Sequence, residues 1–308
     1  MSLVESGSII LGTRGSELAR VQAQTAATAL RSAWPDLEIT TRIISTRGDE
    51  RTAEPVDKQA GRKGLFTREI ERALSEGTID VAVHSAKDLP SEALSALEIG
   101  SALARAPVAD VLITKNETAL ADRGVIGTGS VRRQHQLRRK YPAMQTMDLR
   151  GNVPTRLRKF VESDWTAIVL AGAGLGRLGY DAGSGSFDFE GTRLHARLLD
   201  VEEFLPAGGQ GIIALQIRSA DAATKRILLP VNDPNSFACL ETEREFLRLL
   251  QGDCDSPVGV LATIEDGRMT VRAQVFEPPR IEPRAGRVEG RPDAGKELAR
   301  ELWEAVNG

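Results

Sequence analysis

The stretch QGDCDSPVG, residues 251–259, contains one of only two cysteines in the 308-residue chain. Gly252, Gly259 and Pro257, with acids on both sides of Cys254, mark it as a loop. A free thiol behaves as a small hydrophobe and usually sits among apolar neighbours. Cys239 obeys that rule, between Phe237 and Leu240 in FACLETERE. Cys254 breaks it, so its thiol is a candidate for chemistry. A second candidate is AVHSAKDLP (82–90), a strand-like run that releases Lys87 and Asp88 into a turn stopped by Pro90. Asp88 is then either an ordinary turn aspartate or a carboxylate held at the carboxyl end of a strand, where α/β folds bind ligands.

Four further stretches share one design, in which a strand ends, a Gly or Ser turn follows, and a helix starts beside an arginine. They are GTRGSELARVQ (12–22), GRKGLFTRE (61–69), GTGSVRRQHQLRRK (127–140) and LRGNVPTRLRK (149–159). Ser16 and Ser130 are placed to cap helices, and Pro154 suits a first helical turn. Helix N-termini carry unpaired N–H groups and partial positive charge, so they hold anions. Arginine adds a planar fork that matches a carboxylate. Arg132 and Arg133 fall in a first turn, where cations oppose the helix dipole; that placement is read as a sign of a ligand. Metal chemistry is not expected, because His84, His135 and His195 are scattered and neither cysteine has a CxxC or CxxH partner.

The elements that must position these residues follow from periodicity. Strands are expected at 8–12, 37–46, 79–85, 109–115, 166–171 and 211–218, alternating with helical patterns such as Phe66, Ile70 and Leu74. That alternation indicates α/β units with largely parallel sheets. After residue 233 the style changes to a helix carrying Phe237, Leu240, Leu247 and Leu250, then a hairpin turned at Asp266-Gly267. A last helix carries Leu298, Leu302 and Val306. The Gly- and Ser-rich 181–192 reads as a surface loop, and 277–294 lacks a clear strand pattern.

Bulk properties narrow the partner. The chain is 41% hydrophobic and 27% charged with net charge −3, ordinary for a soluble globular protein. That balance argues against nucleic acid, which needs basic surface. Positive charge is nevertheless concentrated at 130–160, where Asp148 is the one acid, so a compact anion is the expected ligand. No run approaches the roughly 18 apolar residues of a membrane span, and the N-terminus lacks a signal-peptide pattern. A cytoplasmic protein with a small-molecule ligand, neither nucleic-acid- nor membrane-bound, is expected.

Taken in order, TRGSELARVQ, GRKGLFTREIE, VHSAKDLP, GTGSVRRQ, DLRGNVPTRL, AGAGLGRLG, LPAGGQG and GDCDSPVG resemble the porphobilinogen deaminase (hydroxymethylbilane synthase) family through nearly the whole chain. The resemblance implies two α/β lobes like those of periplasmic binding proteins, plus a smaller α+β C-terminal domain. Applied to this sequence, the first lobe is 1–104 with 211–229, the second 105–205, and the third domain 233–308, with crossings near 104–108 and 205–211. It implies a transferase that condenses four porphobilinogen units head to tail on a dipyrromethane cofactor, releasing ammonia at each step.

By the same resemblance Cys254 carries the dipyrromethane through a thioether. Lys63, Lys87, Thr128, Ser130, Arg132 and Arg133 hold its carboxylates, and Arg14, Ser16, Arg150 and Arg156 hold incoming substrate. Arg156 also touches the cofactor, and Arg177 and Gln210 are secondary contacts. Asp88 faces the pyrrole N–H groups and is the catalytic residue. Gln59 departs from the family, which commonly has a lysine there. A rival reading is a non-catalytic two-lobed binder of a small polyanion, and it gives Cys254 no role.

Overall fold

The computed structural model describes residues 7–45, 67–91, 96–117, 123–251 and 257–308. Ser8–Arg14 (β1) sends Ile9 and Leu11 inward and pairs in parallel with Glu38–Ile44 (β2) and Val81–Ser85 (β3). Between β1 and β2, Glu17–Ala33 (α1) starts at Ser16, whose hydroxyl accepts from the Ala19 N–H at 3.3 Å. Its buried face is mostly alanine (Ala19, Ala23, Ala26, Ala27) with Leu30, small side chains that let the helix lie close on the sheet. Arg68–Ser75 (α2) precedes β3, and Leu97–Ala102 (β4) closes the lobe. The strand between β3 and β4 comes from far along the chain. It is Ile213–Arg218 (β11), antiparallel to both, giving the order β2-β1-β3-β11-β4.

A second sheet is built from Asp110–Thr114 (β5), Gly124–Gly127 (β6), Met144–Met147 (β7), Ala167–Ala171 (β8), Ser186–Phe189 (β9) and Thr192–Leu198 (β10), in the order β7-β6-β8-β5-β10-β9. Helices Val131–Lys140 (α3), Val153–Glu162 (α4) and Gly172–Arg177 (α5) connect its strands. The expected loop at 181–192 is corrected here. A 3₁₀ turn at Ala182–Ser184 leads into the β9–β10 hairpin, turned at Glu190-Gly191 with φ of 48° and 82°. Phe187, Phe189, Leu194 and Ala196 alternate inward, a two-residue period that the surrounding glycines and serines conceal in the sequence.

Ala222–Leu228 (α6) leads to Pro234–Leu249 (α7), which packs on a three-stranded antiparallel sheet of Val258–Glu265 (β12), Arg268–Val275 (β13) and Arg284–Gly290 (β14), with Gly295–Asn307 (α8) on the same side. The β12–β13 hairpin turns at Asp266-Gly267 as expected. β14 corrects the reading of 277–294. It pairs with β13 from Met269↔Gly290 to Val275↔Arg284, yet it buries little apolar side chain besides Val288. Gly286 and Gly290 leave the room that Leu302, Val306 and Leu298 of α8 fill, so this strand packs with small residues and shows no apolar alternation.

Two stretches pass between the sheets, 103–109 and 199–212, and they bond to each other. The Leu103 N–H donates to the Ile213 carbonyl at 3.0 Å and the Ala106 N–H to the Gly211 carbonyl at 3.1 Å. At Gly211, φ is +90° and a Cβ would lie 2.4 Å from the Ala106 carbonyl oxygen, so only glycine lets the strands approach so closely. The third unit docks on this crossing. Arg105 donates to both carboxylate oxygens of Glu243 on α7, at 2.7 and 3.2 Å, and to the Gln210 carbonyl at 2.9 Å. Glu243, fully buried, also accepts from the N–H groups of Gly209 (2.6 Å) and Ala262 (2.8 Å).

Glu243 thereby joins α7, β12 and both crossing segments. Removing one partner of a buried, fully bonded pair strands the other charge, at about 3–5 kcal/mol. Glu243→Ala should lower unfolding stability in urea by that order. A loss below about 1 kcal/mol would place the pair with ordinary surface ion pairs.

Candidate active site at the lobe junction

Ser130 caps α3, its hydroxyl accepting from the Arg133 N–H at 3.5 Å, and so sets the first helical turn. Arg132 and Arg133 leave that turn toward β5 and are only 4% and 5% exposed. Both converge on Asp110, the first residue of β5: Arg132 Nη1 donates to Oδ2 at 2.9 Å and Arg133 Nη2 to Oδ1 at 2.7 Å. Arg132 Nη1 also reaches Gln136 Oε1 (2.9 Å) and the Leu205 carbonyl (2.8 Å), and Arg133 Nη1 reaches the Val169 carbonyl (3.0 Å). The sequence reading explained these first-turn cations by a ligand. The protein itself supplies one anion at this place, Asp110.

Burial alone would raise the Asp110 carboxyl, but the two guanidinium groups and their hydrogen bonds outweigh it and hold the group well below the usual carboxylate range. The Nε atoms of Arg132 and Arg133 are buried and have no hydrogen-bond partner among the described residues. Those two donors are what a carboxylate-bearing ligand would take.

Gln210, from the second crossing segment, connects this cluster to the first lobe. Its Nε2 donates to Asp110 Oδ1 at 2.8 Å and to the Val108 carbonyl at 2.7 Å, and its Oε1 accepts from Lys87 Nζ at 3.2 Å. Lys87 and Asp88 sit in the one-turn 3₁₀ segment Ala86–Asp88 that ends β3. Gly209 abuts that turn with φ +74°, its Cβ position 3.0 Å from Ala86. Burial, then the charge of Arg133, pulls the Lys87 ammonium down to about 8, against the opposing attraction of Asp88 and Asp110.

Asp88 is solvent-exposed and lines a pocket with Arg14, Ser16, Gln22, Thr67, His84 and Ser85. Arg14 ends β1 and Ser16 opens α1, so a strand end, a helix start and the Asp88 turn meet there. Beneath the pocket runs a buried polar chain. His84 Nε2 bonds Gln216 Oε1 at 3.1 Å, and Gln216 Nε2 donates to Glu71 Oε1 at 3.2 Å. Because the Gln216 amide gives its N–H₂ to Glu71, His84 must be the donor at Nε2. Burial pulls the His84 imidazole down to about 4, outweighing its bond to Gln216.

The structure thus brings Arg14, Ser16 and Asp88 into one pocket, and Lys87, Gln210, Arg132 and Arg133 into one network. The adjacency of Lys87 and Asp88 joins the two. Thr128 is buried in the same loop as Ser130, its hydroxyl accepting from the Ser130 N–H at 3.3 Å. Arg150 Nε pairs with Asp148 at 2.5 Å and Arg156 Nε with the Gly151 carbonyl at 2.6 Å, on the loop and helix beside Gly129. Arg177 reaches the Gly211 carbonyl at 2.6 Å, a contact to the crossing segment. Cys254, Lys63 and Gln59 lie outside the described residues. Asp110 is the site residue that sequence reasoning missed, although its signal was present: a charge opening the apolar strand DVLIT requires a buried partner. Among the described residues no group of three or more His, Cys, Asp or Glu could hold a metal.

Residues 9–226 match the family described as "Porphobilinogen deaminase, dipyromethane cofactor binding domain", and residues 237–304 match "Porphobilinogen deaminase, C-terminal domain". A protein named porphobilinogen deaminase from Syntrophomonas wolfei is 41% identical over 299 residues, covering 95% of this chain and 94% of its own. Proteins of the same name from Syntrophobacter fumaroxidans (40% over 270 residues, 87% and 84% covered) and Moorella thermoacetica (39% over 304 residues, 96% and 92% covered) are similar to comparable degree.

The buried His84 gives this site a pH signature. It takes up a proton near pH 4 when folded, against an ordinary value of 6.5. Between those values the unfolded chain binds more protons, so stability falls as pH falls through that window. The contribution reaches about 3 kcal/mol at pH 4. A His84→Asn variant should show a correspondingly shallower loss of unfolding free energy from pH 7 to 4.5; parallel curves would contradict the assignment.

Proposed function

The chain belongs to the porphobilinogen deaminase family, and we propose how its own residues divide the work of that family's reaction. It is a transferase of tetrapyrrole biosynthesis that joins four porphobilinogen units head to tail on a dipyrromethane cofactor and releases ammonia at each addition. We assign 1–104 with 211–229 to the first lobe, 105–205 to the second and 233–308 to the third domain; the pairing of β11 with β3 and β4 supports the return to lobe 1. Among the described residues no helix is long and apolar enough to cross a membrane, and we place the protein in the cytoplasm as a monomer.

The residues present fit the dipyrromethane. The Nε atoms of Arg132 and Arg133 lack partners among the described residues, and a carboxylate is a strong acceptor for guanidinium N–H donors. Arg132, Arg133 and Lys87, with the Thr128 and Ser130 loop and with Lys63, would hold its acetate and propionate groups, and Cys254 would hold it covalently. Gly259 packs against Leu205, whose carbonyl accepts from Arg132. In the sequence Cys254 stands five positions before Gly259. Bound there, the dipyrromethane supplies an anchored pyrrole carbon onto which units are added.

Arg14, Ser16 and the N-terminus of α1 bind the carboxylates of incoming porphobilinogen, with Arg150 and Arg156 on the opposite lobe and Arg177 and Gln210 as secondary contacts. Asp88 acts on the reacting ring. As the C–N bond of the protonated aminomethyl group breaks, its electron pair leaves with nitrogen, the ammonium nitrogen departs as ammonia with its three protons, and the positive charge passes to the pyrrole. A carboxylate fixed beside the ring N–H stabilises that charge, as an oxyanion hole stabilises the opposite sign. Asp88 would also accept and relay outward the proton that each addition releases. The observation that carries this reading is the shared pocket of Asp88, Arg14 and Ser16, one residue from the Lys87 link to the guanidinium cluster.

Two experiments test it. Cys254→Ala should fold yet lack the mass of two linked pyrroles and nearly all activity, whereas Cys239→Ala should keep both. Cys239 is buried, and burial pushes its thiol up to about 12. An adduct that follows Cys239 would reverse the assignment. Asp88→Asn should keep its melting temperature and its adduct while turnover drops by about 100-fold or more. A lower melting temperature with a normal rate per folded molecule would make Asp88 only a turn residue.

A further inference from the structure

We propose that Asp110 is a positioning residue for the cofactor site: it turns the Arg132 and Arg133 forks, and through Gln210 the Lys87 ammonium, into a frame that receives the dipyrromethane carboxylates. The inference rests on the reading that those three cations hold the cofactor. Asp110 is fully buried, follows directly on the first crossing segment, and spends each carboxylate oxygen on a different arginine. Its bonds take Nη1 of one fork and Nη2 of the other, while Nε of both stays without a partner. Each guanidinium is therefore oriented by one edge, while its buried Nε has hydrogen-bonding capacity left over among the described residues.

The link to Lys87 follows from hydrogen-bond polarity. Asp110 Oδ1 and the Val108 carbonyl can only accept, so both must face the amide nitrogen of Gln210. The amide oxygen is then compelled to face Lys87 Nζ. With a neutral or absent group at 110 the amide keeps its orientation from Val108 and Lys87 alone and loses the charged acceptor that anchors its nitrogen. Charge points the same way. Arg132, Arg133 and Lys87 are drawn together out of water, and Asp110 and Asp88 are the opposing charges that act on Lys87. Without Asp110 the cluster repels itself before any ligand arrives.

The test uses the full chain as Asp110→Asn, Asp110→Glu and Asp110→Ala. Three quantities are measured: pyrrole content by intact mass, melting temperature, and the rate at which cofactor-free chain takes up two pyrroles from porphobilinogen as a function of pH. Asn and Ala should carry on the order of tenfold less cofactor. The alkaline limb of uptake, set by Lys87 among Asp88, Arg132 and Arg133, should move to lower pH by about half a unit or more, because an attracting charge is gone. Asp110→Glu should recover part of both. Full pyrrole content with an unmoved limb, whatever the melting temperature, would overturn the proposal and leave Asp110 a stabilising counter-ion.

If Asp110→Asn does not accumulate folded, Gln210→Leu decides, since it leaves the arginine pair neutralised. Slowed uptake with the limb shifted supports the relay, and wild-type uptake refutes it. Arg132→Leu and Arg133→Leu separate the two levels. Normal loading in these would refute their role as cofactor ligands. Failed loading here, with normal loading in Asp110→Asn, would refute the positioning role alone.

Discussion

A site that must gather many carboxylates has to be cationic, and cations removed from water repel each other and cost free energy unless an anion stands among them. That constraint shapes the lobe junction. Arg132 and Arg133 come from α3 and Lys87 from the turn after β3, and Asp110 is the internal anion that lets the guanidinium groups be buried at all. The same solution recurs a few residues away. Arg105, in the first crossing segment, is neutralised by the buried Glu243 of the third domain. Both ion pairs also bond backbone groups of the crossing segments, which offsets part of their desolvation.

The crossing segments can serve this way only because they lie close together. Gly211 admits the Ala106 carbonyl and Gly209 admits the Ala86 turn. The backbone that joins the lobes is therefore also the backbone that positions Lys87, Gln210 and Arg177. Crossing and site share residues, so a change in the crossing is felt directly at the cations.

Much of this was legible in the chain. The α/β alternation, the capping serines, the hairpin at Asp266-Gly267 and the apolar face of α8 all follow from local rules, and local rules are what a sequence displays. Cys239 and Cys254 were told apart by their neighbours alone, and the burial of Cys239 agrees. What stayed hidden depends on partners distant in sequence. The return of β11 between β3 and β4 came from the family resemblance, not from periodicity. β14 uses glycine where a strand usually shows apolar residues, so its pattern appears only against α8. Asp110 lies 22 and 23 residues from the arginines it neutralises, and no window of sequence shows that convergence. The roles of Lys63 and Cys254 rest on motif alone.

The division between apolar and polar contacts also bears on how one cleft could serve a chain that lengthens. Each unit has its own hydrophobic core: α1 against β1, β3 and β11, α4 and its neighbours around Phe160, and α7 with α8 against β12 and β13. A small cluster of Ala86, Leu89, Ile212 and Leu240 ties α7 to the first lobe. Toward the second lobe the third domain relies on Gln136–Gln274, Arg272–Glu202 and the stacking of His135 on Phe276. Between the two lobes, at the site, hydrogen bonds of Gln210, Arg177 and Lys87 stand beside the packing of α1 on α5, where Leu18 approaches Gly174. Apolar seams lose area when they open, and that loss grows with every Å² exposed. Polar contacts in a cleft can exchange partners with ligand carboxylates at little net change, since a net hydrogen bond is worth only about 1 kcal/mol. The polar contacts at the junction are thus the exchangeable ones, and they lie where each added pyrrole brings new carboxylates.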